Sequence, residues 1–425
     1  MSSLVYTIKT ETAKAFNSTL ALDNLPDLWH EAPPRWGHPL HSMCSYFAMF
    51  PPQLARVIIE WLSFPGDPVY DPFSGRGTVA LESVLLGRTA YASDANPLAH
   101  VLSRAKIEIP SQEDLRKRLL HLEDAYQQDS SSPNDAPPQI RMLYSDFTLK
   151  QLLFLKNALE GQSSVDNFLT AMILGMLHAN HGKNGTLRGF SVSMPNTFAM
   201  APGYVQRYIQ DNNLKKPDVN VFDMLRVRMD RLNLSDSAFG SGVAWLQDAT
   251  ENPPHWLARN KPHLILTSPP YLQVIKYGKY NWVRLWFLGE DPKHVDTGLI
   301  ATASLSRYMD FMRTVSCHLM DIVDQQGFVC LIIGDVRVKR KDKYTIINLA
   351  QEVWSQVLEP MDWYLHGIVA DILPLGRKVS RIWKHNSGQA TKIDRLIIMS
   401  PSAVPLPPIR RFEWKRAIKE EWHVQ

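Results

Sequence analysis

The feature that most constrains this chain is the run His263-Leu264-Ile265-Leu266-Thr267, followed directly by Ser268-Pro269-Pro270-Tyr271. The apolar run predicts a strand, and the proline pair ends it, because proline cannot donate a ladder hydrogen bond. The Ser268 hydroxyl, the Pro269 and Pro270 carbonyls and the Tyr271 ring are thereby placed at a strand's carboxyl end, where open α/β sheets hold their ligands. Acceptors beside an aromatic plate suit a planar amine. Taken alone, the same residues read as a strand terminator with a surface tyrosine.

A second motif lies upstream. The short strand-like Pro68-Val69-Tyr70 leads into Asp71-Pro72-Phe73-Ser74-Gly75-Arg76-Gly77-Thr78, and Val79 to Leu86 then has helical apolar spacing with Gly87 as a stop. This is strand, glycine loop, helix. Gly75 and Gly77 let backbone approach a ligand at the helix amino end, and Asp71 at the strand tip can accept from a ligand's cationic amine. No lysine and serine pair follows, which argues against a phosphate-cradling loop. The next strand candidate, Thr89 to Ser93, ends in Asp94, about 20 residues past the glycine loop, where an acid is placed to bind a ribose hydroxyl pair. Asp248 precedes the His263 to Thr267 strand and can reach an adenine edge. Each acid alone also reads as a cap or turn residue; together they outline a nucleoside with a positively charged tail.

With these residues in view, the sequence resembles the S-adenosylmethionine-dependent amino-methyltransferases of DNA, and within them the site-specific cytosine-N4 type. The likeness rests on Asp-Pro-Phe-x-Gly-x-Gly-Thr, on Asp94 with the adjoining Ala95, and on Thr-Ser-Pro-Pro-Tyr, with serine where adenine-N6 enzymes usually carry Asp or Asn. It covers about residues 36–99 and 240–400. It implies an α/β, Rossmann-like methyltransferase fold: a mostly parallel twisted sheet with helices on both faces and a helical insert. S-adenosylmethionine is the implied cofactor, held by Phe50, Asp71, Pro72, Phe73, Gly75, Gly77, Thr78, Asp94, Ala95 and Asp248. Ser268, Pro269, Pro270 and Tyr271 are the implied catalytic residues. The segment from His41 to Pro52, ending in an aromatic and prolines before a helix, resembles the part of the family that closes over the cofactor's methionine end. Closing segment, cofactor loop, insert and catalytic motif follow in that order, whereas many relatives run catalytic motif first. Double-stranded DNA is the implied partner, with a cognate restriction endonuclease left open, and a bacterial, archaeal or phage-encoded cytoplasmic protein is implied.

The chemistry suits the residues. An exocyclic cytosine amine is conjugated with its ring and nucleophilic only when aimed, so acceptors must hold its hydrogens while an aromatic stacks on the base. Carbon-5 methylation would need an attacking thiolate, and Cys44, Cys317 and Cys330 all lack the expected Pro-Cys context. Alternatives remain: adenine-N6 methylation, RNA or protein amide methylation, and, from another class, a nucleic-acid-binding subunit without turnover.

Forty-six basic against 42 acidic residues leave a net charge of +4, so attraction to DNA must come from local patches. The densest is Arg337-Val338-Lys339-Arg340-Lys341-Asp342-Lys343, read as a loop at a strand's carboxyl end and a candidate phosphate contact. Further candidates are Lys183 and Arg188 in a glycine-rich basic loop, Tyr277 and Lys279 in an aromatic and basic segment after the catalytic strand, and Arg377 and Lys378. Each also reads as ordinary solvated surface. Residues 1–30 read as a polar lead-in, 31–105 and 240–425 as the catalytic domain, and 106–239 as a helical insert and candidate target-recognition region. Inside the insert, 127–139 reads as an exposed linker, and Leu149 to Leu159 and Val165 to Ala179 as helices. Three cysteines, the lack of a bilayer-length apolar stretch and an amino terminus unlike a signal peptide suggest a reducing, cytosolic setting. No metal-ligand cluster is visible among the scattered histidines.

Overall fold

The computed structural model describes residues 22–33, 36–46, 51–182, 184–195, 200–232, 234, 240–272, 276–299, 302, 304–340, 343–372, 390–409, 412 and 414. Among these, eight strands build one sheet: β1 (Pro68–Asp71), β2 (Thr89–Asp94), β3 (Gly242–Leu246), β4 (Leu264–Thr267), β5 (Phe328–Arg340), β6 (Lys343–Ile347), β7 (Tyr364–Ile372) and β8 (Ala390–Ser400). Their spatial order is β3-β2-β1-β4-β5-β8-β7, with β6 pairing to β5 off that row. The five strands from β3 to β5 are parallel, and β8 and β7 join antiparallel. The chain steps outward from β1 to β3 and then crosses back to β4. The β1/β4 boundary is therefore the point where strand order reverses, and ligands of such sheets bind outside the strand ends there.

Alternating side chains make the sheet two-sided. In β5, Phe328, Cys330 and Ile332 enter one core and Val329, Leu331 and Ile333 the other. In β4, Leu264 and Leu266 share the first face and Ile265 the second. Helix Leu305–Ile322 and the helical stretch 349–358 cover the second face with Met309, Met312, Val315, Leu349 and Val353. Helix Pro52–Leu62 covers the first with Leu54, Ile58 and Ile59. Fully covered faces explain why these strands read as continuous apolar runs.

The regular elements between β2 and β3 are all helical, and include Gln112–Tyr126, Asp146–Ala158, Ser164–Met176, Pro202–Asp211 and Val221–Leu232, with described non-helical chain between them. Phe168, Met172 and Leu225 share one continuous core with Ala90, Ala92 and Leu98 of the sheet layer. Residues 127–132 are exposed or partly so and lack regular structure. Two expectations change. The described end of the polar lead-in is apolar and packed: Leu25, Leu28 and Trp29 are buried, and Trp29 Nε1 donates to Asp371 on β7 at 3.0 Å. Instead of a loop, Arg337 to Arg340 pair with Lys343 to Ile346 as a β-ribbon, with Lys339 opposite Tyr344 and Arg340 opposite Lys343. Val336 and Val338 carry strand character through the charge run, and the backbone pairing continues with them. Among the described residues, no helix is long and apolar enough to cross a membrane.

Candidate active site

The site is built at the carboxyl ends of β1, β2 and β4. Asp71 closes β1 and is 1% exposed. Its Oδ1 accepts from Thr267 Oγ1 at 2.6 Å and from the Phe73 amide at 3.1 Å. Oδ2 has no protein donor among the described residues. Burial pushes the Asp71 carboxyl up to about 7, while the bonds from Thr267 and Phe73 oppose the rise and the Asp94 charge adds to it. Thr267 directly precedes Ser268-Pro269-Pro270-Tyr271, so the two motifs are joined by one buried bond.

Past Asp71 the loop turns on glycines. Gly77 has φ +73°, and a Cβ there would come within 2.9 Å of the Ser103 Cα. Only glycine lets helix Thr78–Leu85 start this close to helix Pro97–Ile107. Asp94 ends β2 and locks the loop in place: Oδ2 accepts from the Gly75 amide at 2.8 Å and Oδ1 from the Asn96 amide at 2.9 Å. Burial raises Asp94 to about 6, opposed by those amides and increased by the Asp248 charge. Asp248 lies within electrostatic reach of Asp94, but its Oδ1 accepts from the amide and hydroxyl of Thr250, both at 2.7 Å. Pro72 and Thr78 are buried and Ala95 is half-buried in the same loops, while Phe73 meets Phe311 edge-on at 5.9 Å.

The Ser268-Pro269-Pro270-Tyr271 motif leaves β4 beside β5. Ser268 Oγ donates to the Ile332 carbonyl at 3.1 Å and lies 3.2 Å from the Tyr271 hydroxyl. The serine proton is thus committed to the strand, which leaves the oxygen to accept, with the Tyr271 hydroxyl as its neighbouring donor. Burial, followed by the nearby Asp394 charge, raises the Tyr271 phenol well above its usual range, so it stays a donor. Its ring lies against the backbone of Gly334 on β5, where a Cβ would approach the ring to 2.6 Å and Asp394 to 2.7 Å. A glycine in mid-strand is explained by that approach. Pro269 is buried and Pro270 half-buried.

Tyr277 joins the two halves. It opens the short helix Tyr277–Tyr280, whose Gly278 and Lys279 amides donate to Asp296 at 2.7 and 3.0 Å. Burial and then the Asp94 charge raise the Tyr277 phenol above its usual range, and Tyr277 also acts on Tyr271. Its ring stacks on Tyr46 with centroids 5.6 Å apart. Tyr46 lies over the cofactor loop, 3.5 Å from the position of a Gly75 Cβ, and its hydroxyl accepts from Asn96 Nδ2 at 2.9 Å. Tyr46, Asn96 and Tyr277 are therefore as much part of the site as the two motifs. Tyr46 sits in the closing segment read from sequence, but nothing local distinguishes it from the neighbouring aromatics.

Lys279 is exposed, with its ammonium 5.5 Å from the Tyr280 ring centroid, and Arg188 is exposed on the insert. Lys339 and Arg340 lie on the β5 side of the ribbon. Phe50, Lys183, Lys341, Arg377 and Lys378 lie outside the described residues. Cys330 is fully buried in the sheet, Cys44 is buried and Cys317 exposed.

A doubly wound parallel sheet ending in an antiparallel pair, with acids and a glycine loop at the switch point, is a Rossmann-like methyltransferase fold. Residues 8–102 match the model of a DNA methylase family of N6/N4 type. Over 70 residues the chain is 41% identical to type II methyltransferase M.MvaI of Kocuria varians, a stretch covering 16% of this chain and 15% of that relative. Among solved structures it is similar to the rRNA methyltransferase aviRa from Streptomyces viridochromogenes (11% identity, 88% of this chain and 90% of that one, TM-score 0.32). A putative DNA modification methylase from Thermus thermophilus, complexed with S-adenosyl-L-methionine, is similar over a smaller part (14% identity, 34% and 48% of the chains, TM-score 0.21).

Proposed function

We propose that this chain is a DNA methyltransferase that moves the methyl group of S-adenosylmethionine to the N4 amino group of cytosine in a specific DNA sequence. The observation that carries the reading is the buried bond from Thr267, the residue before Ser268, to Asp71 at 2.6 Å, which joins the Ser-Pro-Pro-Tyr motif to the glycine loop that Asp94 holds through the Gly75 amide. The similarity of residues 8–102 to DNA methylases supports it.

The donor set fits the cofactor. Asp71 keeps Oδ2 for a cationic amine, and Asp94 has lone pairs left for ribose hydroxyls after its two amide bonds. The left-handed backbone at Gly75 and Gly77 lets the loop come close to the ligand. When bound, the sulfonium supplies an electrophilic methyl group. The protein's task is then to present the amine. Ser268 Oγ accepts one amine hydrogen, because its own proton is held by Ile332 O, and the Pro269 carbonyl accepts the other. Tyr271, braced on Gly334, stacks on the base. The nitrogen lone pair is thereby aimed for in-line transfer, and the surplus proton leaves to solvent or a nearby acceptor. In duplex DNA the base must first leave the stack, at a cost of about a few kcal/mol that stacking on Tyr271 offsets.

The test is to incubate the full chain with labelled S-adenosylmethionine and unmethylated DNA, digest to nucleosides and identify the product by mass spectrometry. N4-methylcytosine is expected. N6-methyladenine would overturn the choice of base, and cofactor uptake without any methylated nucleoside would overturn DNA as the substrate.

A further inference from the structure

Arg284 lies on helix Trp282–Leu288, the helix that follows the one bearing Tyr277, and is 2% exposed. A buried guanidinium needs its donors satisfied, and this one is bonded in four directions. Nε donates to the Leu174 carbonyl of helix Ser164–Met176 at 3.1 Å. Nη1 donates to the Ser45 carbonyl at 3.0 Å and to Asn281 Oδ1 at 2.7 Å, and Nη2 donates to Ser45 Oγ at 2.8 Å. Asn281 in turn donates through Nδ2 to the Tyr277 carbonyl at 2.9 Å. Arg284 thus holds both neighbours of the stacked pair: Ser45, which precedes Tyr46, and Asn281, which ends the helix bearing Tyr277. From Tyr46 the path continues through Asn96 to Asp94. The insert, the closing segment and the catalytic segment meet at this one side chain, remote from one another in sequence.

Two further arginines bind the same segment through its carbonyls, Arg76 to His41 O at 2.9 Å and Arg228 to Ser42 O at 2.7 Å. They grip its earlier residues, whereas Arg284 alone of the three contacts Ser45 and Asn281 together.

We propose that Arg284 is a positioning residue for cofactor capture: it sets the Tyr46–Tyr277 pair over Gly75 and Asp94, so that its loss weakens S-adenosylmethionine binding while leaving the rate of the loaded enzyme nearly intact. This inference rests on the cofactor reading given above. The planar fork matters more than the charge, because a lysine ammonium cannot reach the two Ser45 acceptors, Asn281 and Leu174 from one position.

The experiment compares the full-length parent with Arg284→Lys and Ser45→Ala. Cofactor dissociation constants come from calorimetry, and methylation rates are taken at saturating S-adenosylmethionine; thermal melts verify that each variant is folded. Ser45→Ala removes only the Oγ acceptor and keeps the guanidinium, so it serves where Arg284→Lys fails to fold. A bond to a charged donor is worth about 1.5–3 kcal/mol, which corresponds to a dissociation constant raised roughly 10- to 100-fold for the lysine variant. For Ser45→Ala, with the backbone bond retained, the expectation is about 3- to 10-fold. Saturated rates are expected within about twofold of the parent. Unchanged dissociation constants in folded variants would overturn the proposal, as would a lost rate at unchanged affinity. If the parent itself takes up no S-adenosylmethionine, the cofactor reading fails and this inference falls with it; parent binding matched by both variants would sink the positioning role alone.

Discussion

Thr267→Val replaces the hydroxyl that donates to Asp71 at 2.6 Å with a methyl group of similar volume. Thr267 is fully buried, so no water enters as a ready substitute, and the Phe73 amide is left as the donor to Oδ1. A hydrogen bond to a charged group contributes about 1.5–3 kcal/mol, and one pKa unit is 1.36 kcal/mol. Asp71, already raised by burial to about 7, should therefore titrate roughly one to two units higher in the variant. At pH 7 its ionised fraction would fall from about a half to roughly a tenth or a hundredth. If ionised Asp71 receives the cofactor's cationic amine, affinity at pH 7 should drop about 5- to 50-fold and recover towards pH 9–10. The assay is a titration of S-adenosylmethionine by calorimetry at several pH values, for parent and variant. In the parent, affinity should rise with pH through about 6 and 7, as Asp94 and Asp71 ionise. Stability of the ligand-free protein runs the opposite way. Both carboxyls have folded-state values above their unfolded value of 3.8, so their contribution is complete below that value and is lost as pH rises through about 6 to 7. The ligand-free melting temperature should fall across that window. A variant whose binding profile superimposes on the parent's would refute the link between Thr267 and Asp71, and with it the role given to the Asp71 charge.

Three further outcomes are expected. Ser268→Ala and Tyr271→Ala should lower the methylation rate by about 100-fold or more with cofactor affinity nearly unchanged, and Asp94→Ala should do the reverse; a variant that crosses between those classes would reassign its residue. Gly77→Ala should destabilise the fold by at least ~1–2 kcal/mol for the left-handed backbone alone, and by more through the 2.9 Å approach to Ser103, read as a lower urea midpoint with weaker cofactor binding; an unchanged midpoint would contradict the described loop. Arg395 donates to both oxygens of buried Asp335, at 2.8 and 2.9 Å. Arg395→Met should therefore cost about 3–5 kcal/mol, and adding Asp335→Leu should restore much of it; a single variant as stable as the parent would mean the pair is dispensable.

Much of the core was legible because its signals are local. The β4 run and its proline stop, the strand ahead of Asp71, and the helix after Gly77 each follow from a few adjacent residues obeying backbone and burial rules. The helices at 146–158 and 164–176 followed from apolar spacing in the same way. The ribbon strand ending at Arg340 did not, because the five basic residues between 337 and 343 mask a strand that is held by pairing with β6. Trp29, in a stretch that reads as polar, is buried in a core with Leu54 and Ile58 and bonded to Asp371, all distant in sequence.

For the site, the chain by itself determined which groups are available: two strand-end carboxylates, a glycine loop, a hydroxyl and a ring following a proline pair. These depend on residue type and short spacing. Only the tertiary structure decided how they meet. Strand order puts β4 beside β1 and so joins Thr267 to Asp71, a bond spanning 196 positions. Packing of the loops and helices sets Tyr46 against Tyr277 over Gly75, with Arg284 bonded to Ser45 and Asn281 beside them. Such contacts have no signature along the chain, because sheet order and helix packing bring together residues whose local sequence is the same whether or not they touch.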